Sequence, residues 1–208
     1  MTSLVKALLE GDKEEAAAWS RRLYESGVGV ERIIAEGVES AMATLDAKCT
    51  LEQFNLLEIM LVGRAVMEVM KYLFPSELPA TGGKGKIVIA TLEGDVHDLG
   101  KNILKMILTG NGYPIIDCGK DCPLPKLMEV VDRERPLAVG ISGLISPVIP
   151  LVRQVRPLLR ERGLDRVKVM AGGGTLKQSS SENLNVDFVA ESAFDGARFV
   201  AGLTGDGK

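Results

Sequence analysis

His97 is the only histidine of this 208-residue chain, and it stands in the run Gly94-Asp95-Val96-His97-Asp98-Leu99-Gly100-Lys101-Asn102. Carboxylates lie two residues before it and one after it. A neutral imidazole is a good ligand for a borderline transition metal, and a carboxylate on its second nitrogen fixes the tautomer and raises its basicity. One protein ligand cannot hold a bare ion. A lone histidine in this setting points to a metal already held by a macrocycle, although a loop histidine bonded to local backbone would use the same residues. Two further stretches could do chemistry, Ser142-Gly143-Leu144-Ile145-Ser146 and Gly172-Gly173-Gly174-Thr175. Each alone reads equally as an ordinary exit from a strand, since tight turns and close backbone approach recur at such places. Neither G-x-G-x-x-G nor G-x-x-x-x-G-K-[ST] occurs, so dinucleotide and P-loop readings lack their main support.

Cys49, Cys118 and Cys122 are too few for a disulfide framework. Cys118 and Cys122 make one C-x3-C without a second pair, and a zinc site needs about four nitrogen or sulfur ligands. They read as reduced thiols near a strand end.

These residues must be positioned by elements of two kinds. Over 1–75 the pattern is helical: Val30, Ile33, Ile34, Val38, Ala41, Met42 and Leu45 recur at helical spacing and form one apolar stripe. Two shorter helices, about 3–10 and 12–26, come before it, divided at Gly11-Asp12. Thr50 opens a T-L-E-Q capping box with Gln53, and the helix it starts runs to about Phe74, where Pro75 stops it. That fourth helix carries Leu51, Phe54, Leu56, Leu57, Ile59, Met60, Leu61, Val62, Ala65, Val66, Val69, Met70 and Leu73, more than one stripe. One face serves a small bundle. The other must meet something else: a second domain, an identical subunit or an apolar cofactor face.

Residues 77–86 belong to a proline- and glycine-rich stretch without periodicity and read as a linker between a helical domain, 1–76, and a second domain, 87–208. In the second domain, β-branched runs at 86–91, 113–117, 137–142, 167–171 and 187–190 alternate with helical stretches near 99–111, 124–134, 149–162 and 195–203. Such alternation predicts a five-stranded, parallel, doubly wound sheet of the flavodoxin or Rossmann kind. All three candidate stretches fall just after predicted strands, where this architecture places its ligands.

Composition bounds the function. Hydrophobic residues make up 46% of the chain and the net charge is −3. Residues 1–80 carry 8 basic and 13 acidic side chains, a net of −5, so no basic reader of nucleic acid precedes the sheet. No apolar run reaches the ~18 residues of a membrane span, and the N-terminus turns acidic too early for a signal peptide. The expectation is a cytoplasmic protein that engages neither membrane nor nucleic acid.

In combination the three stretches are far more specific. D-x-H-x-x-G, S-x-L beginning 45 residues after the histidine and G-G another 30 on resemble the binding signature of cobalamin-dependent methyltransferases and mutases. G-D-V-H-D-L-G-K-N followed by S-G-L-I-S-P looks especially like the cobalamin module of methionine synthase. The helical front half resembles the cap domain of that enzyme and of the small corrinoid proteins serving methanol, methylamine and aryl methyl ether methyltransferases. The resemblance implies cobalamin bound with its dimethylbenzimidazole base pulled off cobalt, His97 as lower axial ligand and Asp95 on the other imidazole nitrogen. It further implies that Gly94, Val96, Asp98, Leu99 and Gly100 lie against the cofactor, and that Ser142, Leu144, Ser146, Gly172, Gly173 and Gly174 line the slot for its nucleotide tail. The implied function is a methyl carrier in one-carbon metabolism, O-demethylation among its settings. The cobalt cycles between Co(I) and methyl-Co(III), taking methyl from a donor-specific methyltransferase and passing it to a second one with tetrahydrofolate as acceptor. A reductive activator of the cofactor would be a third partner. Whether such a component counts as an enzyme by itself is open.

Two departures stand out. Six positions past the serine of S-x-L, where methionine synthase has a hydroxyl residue continuing the ligand's proton relay, this chain has Val148, with Ser146 at a different offset. After the glycine pair, G-T-L-K replaces A-T-T-S. Three alternatives share part of the signature. One is the cobalamin subunit of an adenosylcobalamin mutase, against which the helical cap speaks. Another is a cobalamin-based sensor or regulator, whose W-x9-E-H has Gly29-Val30 in place of E-H after Trp19. The last is a flavodoxin-like domain without cofactor.

Overall fold

Strands that are apolar along their whole length need cover on both faces, and β-α alternation supplies it. A computed structural model of the chain describes residues 1–48, 56–74 and 84–205. It divides into two compact units, Met1–Ser76 and Glu77–Lys208. The second holds an all-parallel sheet of five strands in the order β2-β1-β3-β4-β5. These are β1 (Ile87–Thr91), β2 (Ile115–Asp117), β3 (Ala138–Ser142), β4 (Lys168–Gly172) and β5 (Phe188–Ala190). The order reverses between β1 and β3, which makes the carboxyl ends of those two strands the switch point where ligands bind in such sheets.

One face of the sheet presents Val88, Ala90, Val139, Ile141, Val169 and Ala171 to a core completed by Leu127, Met128 and Val131 of α7 (Leu124–Glu134) and Val152, Val155 and Leu159 of α8 (Ile149–Glu161). The opposite face, with Ile89, Gly140 and Met170, lies under α6 (Leu99–Gly110) and α10 (Ala193–Thr204). A Cβ at Gly140 would come within 2.9 Å of the Met170 methyl and 3.3 Å of Ile89, so a larger residue there would make those side chains shift.

In the first unit, α1 (Thr2–Leu9) and α2 (Lys13–Glu25) meet at Gly11, and Asp12 caps α2 by accepting the Glu15 amide at 2.9 Å. The predicted third helix is α3 (Val30–Ile33), a wide π stretch (Ile34–Glu39) and α4 (Ser40–Lys48) in succession. Ile33, Ile34, Val38, Ala41 and Leu45 are buried, while Val30 and Met42 are only half-buried. The π stretch contains Gly37, whose missing side chain admits Leu4 of α1: a Cβ would lie 2.7 Å from it. Helix α5 (Leu56–Leu73) buries Val62, Ala65, Val66, Val69 and Met70, but Leu57 and Met60 stay 64% and 57% exposed. The apolar surplus of that helix thus lies in its first turns. The Thr50–Gln53 capping box and Cys49 lie outside the described residues, as does most of the expected linker.

The second strand begins at Ile115 rather than at 113. Gly112 takes a left-handed φ of +82°, and the Tyr113 amide is spent on Leu108 O at 3.0 Å, ending α6. Three short helical pieces had no periodic signal: 3-10 turns at Ser146–Val148 and Leu176–Gln178, and α9 (Ser181–Leu184).

Candidate functional site

The loop leaving β1 is held on two sides. Toward β2, Thr91 N donates to Gly119 O at 3.0 Å, Cys122 N to Thr91 O at 2.9 Å and Glu93 N to Cys122 O at 2.9 Å. Asp121, left-handed at φ +51°, accepts the Gly94 amide on Oδ1 at 2.8 Å and donates its own amide to Asp95 O at 3.0 Å. Toward β3, the Leu144 amide donates to Asp95 Oδ2 at 2.7 Å. Asp95 is thereby fixed by its backbone from one neighbour loop and by its carboxylate from the other.

The Asp95 side chain is 0% exposed, and its second oxygen, Oδ1, takes the His97 amide at 2.9 Å and His97 Nδ1 at 2.7 Å. Burial alone would push this carboxyl up. The Leu144 and His97 amides and the imidazole outweigh it and hold the group below the ordinary carboxylate range. A carboxylate at Oδ1 demands a proton on Nδ1, so Nε2 keeps its lone pair. The His97 side chain is 51% exposed. Asp95 therefore orients one imidazole and readies its outer nitrogen as a ligand. Val96 and Leu144 stand exposed on the same two loops and add apolar surface beside it.

The predicted residues divide by what the structure does with them. Gly94, Asp95, Val96, His97 and Asp98 make the loop, and Leu99 and Gly100 begin α6. A Cβ on Gly100 would meet Ser142 Oγ at 3.4 Å and nothing else within 4 Å, so the helix start lies directly over the end of β3. Ser142 pairs in register with Thr91 and Gly172. Leu144 reaches the site through its amide; its side chain lies against Gly174, where a Cβ would come within 2.7 Å. Gly173, at φ +101°, is required by backbone contact, since a Cβ would sit 2.6 Å from Gly143 O. That is a reason independent of any ligand tail. Ser146 pairs with Thr175 at 3.4 Å, and Val148 is fully buried beneath Gly143. Neither donates to Asp95.

Sequence reasoning missed the support beneath the helix start. Lys101, only 3% exposed, donates to both oxygens of Asp117 at 2.8 and 2.9 Å and to Asn102 at 3.1 Å. Lys105 reaches the same carboxylate at 3.1 Å, and the Gly119 amide donates to it at 2.9 Å. Burial pushes Asp117 up, but Lys101, the Gly119 amide and Lys105 prevail and hold it low. The signal was there to see: a lysine in a first helical turn opposes the helix dipole and needs a partner. Cys118 and Cys122 are buried free thiols, and burial pushes Cys118 up to about 12.

Comparison with known proteins decides the family. A family model described as "B12 binding domain" matches residues 85–198, and a second of the same description matches residues 1–74. The chain belongs to the B12-binding family. The cofactor of that family is cobalamin, a corrinoid. Among curated relatives, trimethylamine corrinoid protein 1 of Methanosarcina acetivorans is 28% identical over 91% of this chain and 89% of its own. Dimethylamine corrinoid protein 3 of the same organism is 34% identical over 78% of each chain. The methanol–corrinoid protein of Methanosarcina barkeri is 25% identical over 97% of this chain and 79% of its own. The solved monomethylamine corrinoid protein of Methanosarcina barkeri has the same fold, with a TM-score of 0.83 at 24% identity over 96% of each chain. The donor set suits a corrinoid. One half-exposed imidazole, oriented by a buried carboxylate, could ligate a cobalt ion whose other nitrogen ligands come from its own macrocycle. No described helix is long and apolar enough to cross a membrane.

Proposed function

We propose that this chain is the methyl-carrying component of a corrinoid-dependent methyltransferase system. The observation that carries the reading is the sealed Asp95 carboxylate gripping Nδ1 of a half-exposed His97 at the switch point of the sheet. Bound cobalamin would supply a cobalt nucleophile able to take up a methyl group and give it up again. His97 would hold the cobalt through Nε2, and Asp95 would keep the ring oriented and its Nδ1 protonated. Protons would reach the pair through the exposed ring, because Asp95 is sealed from solvent and Val148 offers no hydroxyl. Gly94, Val96, Asp98, Leu99 and Gly100 would face the macrocycle. Ser142, Ser146, Leu144 and the glycines 172–174 would border the nucleotide tail.

The partners would be a donor-specific methyltransferase, an acceptor methyltransferase serving tetrahydrofolate and a reductive activator. The names of the relatives favour a methylamine or methanol as donor. The test loads the chain and a His97→Gly variant with methylcobalamin. The variant's visible spectrum should move to that of a corrinoid without a lower ligand; identical spectra would rule out ligation by His97. Separately, the chain loaded with unmethylated cobalamin and reduced to the Co(I) form by a chemical reductant such as Ti(III) citrate should take up labelled methyl from a candidate donor enzyme and its substrate, and the absence of uptake with every methylamine, methanol, thiol and aryl ether donor enzyme would rule out the carrier role.

A further inference from the structure

On the corrinoid reading, we propose that the Thr91 hydroxyl is a further contact for the cofactor's nucleotide tail. Among the described residues, two buried side-chain polar atoms lack a hydrogen-bond partner, Thr91 Oγ1 and Arg156 Nη2. The arginine nitrogen is ion-paired with Asp187, which leaves the threonine. An unsatisfied buried hydroxyl is a standing cost to the fold, and native proteins carry few of them without a use. Thr91 is 0% exposed, and the same-face residues of its strand, Ile87 and Ile89, are apolar. Valine, the same shape without the hydroxyl, would serve the core better.

The place of the hydroxyl gives it a use. Thr91 is the last residue of β1 and lies in register with Ser142, the last residue of β3, which in turn lies in register with Gly172 at the end of β4. Residues paired in register on neighbouring parallel strands point to the same face. Thr91, Ser142 and Gly172 therefore form one row along the carboxyl edge, on the face covered by α6. Directly over this row Gly100 leaves the seam between helix and strands free of a side chain. A chain of ribose, phosphate and base running over Ser142 and Gly172 meets Thr91 one strand further on, where a polar atom of the tail would satisfy the orphaned hydroxyl. Oγ1 is sealed from solvent, so the tail reaches it by parting the start of α6 from the strand ends. The first turn of α6 has no side-chain cap, and what ties it to the sheet is the Lys101–Asp117 ion pair at the end of β2, on the far side of β1 from Ser142.

The test uses the full chain with two probes, cobalamin and cobinamide, the same macrocycle without its nucleotide tail. Affinities are read by equilibrium dialysis for wild type, Thr91→Val and Thr91→Ser. Thr91→Val should leave cobinamide binding unchanged, weaken cobalamin binding about tenfold and leave the melting temperature of the free protein equal or higher. Thr91→Ser, which keeps the hydroxyl, should preserve the wild-type preference for cobalamin. An unchanged ratio of the two affinities in Thr91→Val, or an equal loss of both, would overturn the contact while leaving the corrinoid reading in place. A wild-type protein that binds neither probe would overturn the corrinoid reading and this contact with it.

Discussion

Asp95→Asn should weaken both the fold and its hold on a corrinoid. Three N–H donors converge on the Asp95 carboxylate: the His97 amide and Nδ1 on one oxygen, at 2.9 and 2.7 Å, and the Leu144 amide on the other, at 2.7 Å. Asparagine keeps one acceptor oxygen and puts a donor where the second was. If the amide nitrogen faces Leu144, two buried donors oppose each other at that distance. If it faces His97, the ring must carry its proton on Nε2 and can no longer ligate. Either way one buried N–H loses its acceptor, which costs about 1–3 kcal/mol, and the remaining bonds lose their charge assistance. The expected loss of unfolding free energy at pH 7 is about 2–4 kcal/mol by chemical denaturation of the full chain. Corrinoid affinity should fall about 10- to 100-fold, the usual effect of removing a partner behind a ligating histidine. The pH dependence follows from the low position of Asp95 in the folded state. Its contribution is fully present above the unfolded carboxylate range near ~4 and is lost as pH falls through the lower folded value. The gap between wild type and variant should accordingly close in acid. A variant as stable as wild type at pH 7, or a gap that persists in acid, would refute this account of the site.

Gly100→Ala separates fold from function. The free protein should be as stable as wild type or up to about 1 kcal/mol more so, since alanine favours a helix. Corrinoid affinity should fall about tenfold, as a methyl enters a seam only 3.4 Å from Ser142 Oγ; undiminished affinity would show that the seam is not used. The buried thiols Cys118 and Cys122, both pushed up by burial, should resist iodoacetamide at pH 8 until the chain is unfolded. Mass mapping of alkylated sites checks this, and rapid labelling of either in the folded protein would contradict their burial.

Most of the sheet was readable in the sequence because parallel strands buried on both faces are written as short β-branched runs with helices between. One boundary slipped where a local turn claims a residue of strand-like type: the Tyr113 amide is spent on Leu108 O, five residues back, and closes α6. The π stretch around Gly37 answers to Leu4 of another helix, and no periodicity announces it. The loop residues of the candidate site stood out because histidine, aspartate and glycine are costly choices after a strand. Lys101 in a first helical turn signalled that it needs a partner, but which partners hold the site was not visible. The Lys101–Asp117 grip, the Asp121 turn and the Leu144 amide are long-range contacts between segments that only the folded sheet brings together. Gly173 was noticed for the right residue type, yet its need arises from Gly143 O of the neighbouring loop.

The measurement that bears most directly on His97 as a cobalt ligand is electron paramagnetic resonance of the Co(II) form of the loaded protein. Because the chain has one histidine, growth on nitrogen-15 histidine labels a single imidazole. The axial nitrogen splitting should change from a triplet to a doublet on labelling. A triplet that persists would place the cofactor's own base, or another nitrogen, on the metal and contradict the assignment of His97.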